Sequence, residues 1–158
     1  MSWSTGPSGV PTSSRVDIEI ADNTTLSEAF QFDPPGPSGI FNGFAFTGPT
    51  GPTGVQWGFT GMNFKCDIWG NYGQTGPSFT FSSLPSNSSM ILVDDYTNRI
   101  LHWNVAWPIY KGLTAATGAT GTGLLPGEYF YQFRIADSSS PPIVTELMYG
   151  KFRIKHRV

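Results

Sequence analysis

Gly127–Ala136 (GEYFYQFRIA) places Tyr129, Tyr131, Phe133 and Ile135 two residues apart, and this alternation constrains the fold more than any other feature. Side chains repeating with a period of two line one face of an extended strand, whereas a helix would scatter them around its axis. The pattern recurs along the chain. Val16, Ile18 and Ile20 alternate with charged residues across Arg15–Ala21, Met62, Phe64, Cys66 and Ile68 within Val55–Trp69, and Leu101, Trp103 and Val105 within Arg99–Ala106. Shorter apolar runs occupy Glu28–Phe32, Ile40–Thr47, Ser78–Leu84, Met90–Val93, Ile143–Tyr149 and Lys151–Val158. Asp22-Asn23 and Asp33-Pro34-Pro35-Gly36 read as turns between them. Only Asn23–Phe30 begins like a helix, and it is too short and too β-branched to hold one. Eight to ten strands spaced about ten residues apart predict an all-β chain, an antiparallel sandwich of immunoglobulin-like or jelly-roll-like kind.

The 158 residues suit one domain. We read it as residues 15–158, with residues 1–14 (MSWSTGPSGVPTSS) as an extended arm too rich in Gly, Pro, Ser and Thr to pack alone. The arm offers Trp3 and Val10 to a partner. Gly48–Gly54 (GPTGPTG) holds too few triplets for an independent collagen helix. It reads either as an exposed polyproline-like loop or as a place where three copies meet around an axis. Thr114–Gly123 (TAATGATGTG) reads as a second flexible stretch.

Charged residues make up 13% of the chain, about half the usual share, which suggests a surface partly covered by neighbours. Residues 1–150 carry five basic and eleven acidic side chains, a balance of −6, and the last eight residues add Lys151, Arg153, Lys155 and Arg157. An acidic body of this kind is not a nucleic-acid binder's surface. In an extended strand those four cations share one face, and Phe152, Ile154, His156 and Val158 take the other. The row has two readings: an edge strand guarded by Lys and Arg, or a docking row for the acidic body of a neighbouring copy or another protein.

Sites for chemistry are sparse. The single cysteine, Cys66, permits no internal disulfide, fits a reducing cytoplasm and reads as a small core hydrophobe. His102 and His156 fall in different strand candidates, without the ligand spacing of a zinc site. The chain shows no nucleophile elbow, Walker loop or dinucleotide fingerprint. Asp94-Asp95 reads as a turn whose side chains diverge; a calcium site with Asn98 would lack the loop signature. Neither a cofactor nor a metal is expected, and catalysis is not. No apolar run is long enough for a membrane helix, and MSWSTGPSG lacks the regions of a signal peptide. Trp57, Trp69, Trp103 and Trp107, with Tyr72 and Tyr110, form the alternative: a stacking platform for sugars, although a sandwich core is the more natural home for Trp103.

Four segments occur in a familiar order: Asp22–Phe32 (DNTTLSEAFQF), Phe59–Ile68 (FTGMNFKCDI), Gly127–Asp137 (GEYFYQFRIAD) and Leu147–Ile154 (LMYGKFRI). This order resembles the β-sandwich domains of tailed-phage virions, such as the N-terminal domain of siphophage upper-baseplate proteins. The likeness lies in a Thr-Gly turn entering a strand, a Gly-x-Tyr-x-Tyr strand followed by an acidic turn, and a last strand after Leu-x-x-Gly. Gly150 would permit a bulge before that closing strand. Trp69 departs from the pattern, standing where a basic residue is usual, and GPTGPTG and TGATGTG look like insertions. The resemblance implies a non-enzymatic structural protein made in the host cytoplasm and located in the virion, as a tail or baseplate, neck or capsid-decoration component. Its partners would be other virion proteins and copies of itself, as a homo-oligomer for which GPTGPTG suggests a trimer. The alternative function is a carbohydrate-binding or receptor-adhesin module.

Overall fold

The alternating runs become strands, and their apolar phases meet in one interior. The computed structural model describes residues 14–32, 40–41, 44–45, 62–70, 74–84, 88–96, 100–136 and 144–156. Along the chain these form β1 (Ser14–Arg15), β2 (Ile18–Ala21), β3 (Leu26–Gln31), β4 (Ile40–Phe41), β5 (Phe44–Ala45), β6 (Asn63–Trp69), β7 (Phe79–Ser82), β8 (Ile91–Asp95) and β9 (Ile100–Val105). One helical turn, α1 (Trp107–Tyr110), precedes β10 (Ala119–Gly121), β11 (Gly127–Ala136) and β12 (Val144–Lys155). The chain is therefore all-β, as the periodicity requires.

The large sheet runs β1–β12–β11–β6–β7–β10, with β2 also on β12; the small sheet runs β3–β9–β8; β4 and β5 pair with each other. β1 and β2 lie parallel to β12, and the other strand pairs are antiparallel. With β1 and β2 taken as one strand and β4, β5, β7 and β10 set aside, β12–β11–β6 facing β3–β9–β8 is the immunoglobulin order. The topology thus selects the immunoglobulin-like alternative over the jelly roll.

The interior is aromatic. Trp103 on β9 is fully buried, with ring centroids of Phe30 at 4.8 Å, Phe81 and Phe133 at 5.2 Å and Tyr131 at 5.8 Å, each in an edge-on arrangement. Phe133 stacks on Phe64 at 5.9 Å. Since β9 belongs to the small sheet and β7 and β11 to the large one, one indole joins the layers. Cys66 sits fully buried in this core, where desolvation pushes its thiol well above the ordinary range, so it is apolar filling and not a nucleophile.

Three details differ from expectation. Ile143–Tyr149 and Lys151–Val158 read as two strands in the sequence, but β12 is continuous. Its irregularity lies earlier than Gly150: Phe133 pairs with Met148 and Arg134 with Glu146, so Leu147 is the extra residue and both Leu147 and Met148 turn inward. Gly150 serves close approach instead, because a Cβ there would stand 2.2 Å from the carbonyl oxygen of Val16. Finally, Thr114–Gly123 is not a free stretch. It contributes β10, which pairs with β7, and Gly121 at φ +124° lets the backbone lie against Ser78. The arm up to Ser13, and Gly48–Gly54, lie outside the described residues.

Replacing Trp103 with Ala is expected to destabilise the protein by about 3–5 kcal/mol in urea unfolding. Trp103→Phe should cost less than half of that, because the indole N–H is already buried without an acceptor and only packing is lost.

Candidate functional site

The outward phase of β12 carries the predicted cations. Lys151, Arg153 and Lys155 are exposed at spacing two, while Phe152 and Ile154 are buried beneath them. Arg157, Trp3 and Val10 lie outside the described residues. β12 is not an edge, since β11 flanks it on one side and β1 and β2 on the other. Edge protection therefore does not explain the row. Nor is the row unopposed: Glu19 on β2 meets Arg153 at 3.5 Å and Lys155 at 3.2 Å, and Glu128 on β11 stands in register with Arg153. Sequence reading placed the cations on the right face but could not see which strands would bring carboxylates beside them. These pairs are about half exposed, so each stabilises weakly and responds to salt.

At the top of the row the chain does something more local. The amide of Lys151 donates to Asp17 Oδ1 at 2.9 Å, and Arg15 lies 3.3 Å from the same oxygen. The Lys151 amide, and then the Arg15 guanidinium, hold the Asp17 carboxyl below its usual range. Together with the Tyr131 hydroxyl, which donates to the Val16 carbonyl at 2.6 Å, this fixes the break between β1 and β2. At the bottom, Pro126, Gly127 and Glu128 face Arg153–His156 across an open groove of about 470 Å³.

A second cluster on the large sheet's outer face was not anticipated. Asp67 has the outward phase of β6 yet is only 2% exposed. The Arg134 guanidinium from β11 donates to it, the Thr80 hydroxyl from β7 donates at 2.6 Å, and Lys65 Nζ lies at 3.9 Å. Three strands thus supply one buried carboxylate with partners, which compensates its desolvation. The only sequence signal was charge alternation on β6 and β11, which does not specify pairing.

A third cluster ties a turn to α1. Lys111 Nζ lies 3.0 Å from Asp22 Oδ1 and donates to Asn23 Oδ1 at 2.7 Å, and the Tyr110 hydroxyl donates to the Thr24 carbonyl at 2.8 Å. Tyr110 is fully buried, and Lys111 also lies 5.8 Å above the Trp107 ring.

Of the aromatic residues read as a sugar platform, Trp103 and Tyr110 are core, Trp69 is half-buried on β6, Trp107 is exposed with Lys111 Nζ 5.8 Å from its ring centroid, and Trp57 and Tyr72 lie outside the described residues. Asp94 and Asp95 belong to β8 and not to a turn, and Asp94 meets His102 Nδ1 at 2.8 Å, a contact not evident from spacing. Asn98 lies outside the described residues. Among the described residues, no three His, Cys, Asp or Glu side chains gather as a metal site, and no helix is long and apolar enough to cross a membrane.

No family model matches the chain, and no curated protein matches it. Among solved structures, it is similar to a nucleoside hydrolase-related hypothetical protein from Saccharophagus degradans that is associated with carbohydrate metabolism. Identity is 10% and the TM-score 0.27, over 90% of this chain but 22% of the other, so the likeness carries no argument about fold or chemistry.

Lys111→Met is expected to cost about 3 kcal/mol, because it leaves the nearly buried Asp22 carboxylate without its cation. The double variant Lys111→Met/Asp22→Asn should recover part of that loss in the same unfolding titration. Equal stability of the two variants would show that the pair does not act as a unit.

Proposed function

We propose that this chain is a non-enzymatic structural component of a tailed-phage virion, acting through contacts with neighbouring virion subunits and with copies of itself. The observation that carries the reading is where the four familiar segments fall. Asp22–Phe32 covers the first turn and β3, and the other three supply most of β6, β11 and β12, which lie side by side. The segments behind the resemblance thus lie in the framework strands of the sandwich.

The physical character of the chain supports the same reading. The core is filled by aromatic side chains, leaving the outer faces and edges to meet partners. The Lys151–Lys155 stripe mixes cations with Glu19 and Glu128. A mixed stripe of that kind suits a subunit contact in which partner carboxylates exchange with the chain's own, which favours register and partner choice over raw affinity. The acidic body of another subunit would be such a partner.

Replacing Lys151, Arg153 and Lys155 together with Ser leaves the buried face of β12 intact, so the variant should remain folded. Its incorporation into particles should fall several-fold at low salt, with a smaller difference at moderate salt where screening already weakens the contact. Incorporation equal to the parent at every salt concentration would remove the stripe from the assembly contact. A glycan array run on the same preparations should show no binding; a specific glycan signal would favour the adhesin reading.

A further inference from the structure

Among the described strands, none flanks β3 on the side away from β9. In an immunoglobulin sandwich the first strand flanks the second, but here β1 and β2 both run along β12. Among the described residues β3 pairs only with β9, and no described strand takes the main-chain groups on the other side of Leu26–Gln31. Such edges are ordinarily guarded by Lys, Pro or a bulge. β8, at the other side of the same sheet, has a register shift together with Asp94 and Asp95. β3 has no Lys, no Pro and an unbroken register of six residues, with Glu28 its one charge. Phe30 is only half-buried there, with its ring 4.8 Å from Trp103, so an apolar side chain lies along this edge.

We propose that this edge accepts an extended strand from the N-terminal segment of a second copy, with Met1–Thr5 as the strand and Trp3 seated against Phe30. The inference rests on the reading of the chain as an assembly module and names one of its contacts. Met1–Thr5 (MSWST) contains no Gly, Pro or charge, and its period-two pattern puts Met1 and Trp3 on one side and two serines on the other. Added main-chain hydrogen bonds would supply affinity and the half-buried Phe30 ring would favour an aromatic side chain. The eight residues Gly6–Ser13 can span up to about 27 Å, enough to reach a neighbour.

Chain direction favours a second copy over the molecule's own segment. Ser14 lies level with Met148, and β1 and β2 run from there toward Lys155; β3 then returns, so Gln31 ends near where β1 begins. To reach its own β3, the segment would have to reverse at Ser14, cross the roughly 10 Å between sheets and pair in parallel. A second copy can deliver it antiparallel, the slightly more stable pairing.

Hydrogen exchange on the full chain, at high and low protein concentration and beside Trp3→Ser, tests this together with sedimentation mass. The expected result is that β3 amides exchange about tenfold or more slowly at high concentration, that the mass rises in parallel, and that Trp3→Ser removes both effects while β9 amides are unchanged. Protection of β3 independent of concentration would mean that the molecule's own segment covers it, and would overturn the proposal. Concentration-dependent protection that survives Trp3→Ser would assign the contact to β3 meeting β3 and overturn it equally, as would β3 amides that exchange fast in every sample. Failure of the chain to enter particles while β3 protection behaves as expected would instead count against the virion reading and leave strand donation standing.

Discussion

Everything in this structure depends on one indole between two sheets. Trp103 stands on the central strand of the small sheet and meets Phe81, Tyr131 and Phe133 of the large one edge-on, within 6 Å of each. Edge-on contacts place the positive rim of one ring against the negative face of another, which adds directionality to burial. A large side chain at this point sets the spacing of the layers. It also takes Phe81, Tyr131 and Phe133 into the interior, while Tyr96, Trp107 and Tyr149 stay exposed.

The charges that matter are arranged by register. Asp67 is stabilised because β7 and β11 bring Thr80 and Arg134 to it, and Glu19 meets Arg153 because β2 lies parallel to β12. The Asp22–Lys111 pair closes the end of the sandwich where the first turn meets α1. Of the three, Asp22 and Asp67 are the buried acids, and losing their cations would hurt most, since a carboxylate out of water needs a partner.

How much was legible follows from what period two can carry. It tells inside from outside on each strand, so Phe64, Cys66, Ile68, Tyr131, Phe133, Phe152 and Ile154 were readable as core, and all are buried. It does not tell which strands are neighbours. That is why Lys151, Arg153 and Lys155 could be assigned to one face while Glu19 and Glu128 beside them could not, and why an edge position for β12 stayed open as one of two readings. It also fails where a polar residue is covered, as at Asp67, and where a Gly-rich stretch is held by pairing, as at β10. Tyr110 was not readable as core because a single helical turn leaves no periodic signal.

The role proposed for the chain is that of a built-in part of a virus particle. Quantitative mass spectrometry of purified particles produced from the genome that carries this chain tests it directly. The chain is expected in the particles at a fixed ratio to the other structural subunits, retained through salt washing and density banding. Particles that are complete and infectious without it, with the chain left in the lysate, would contradict the account.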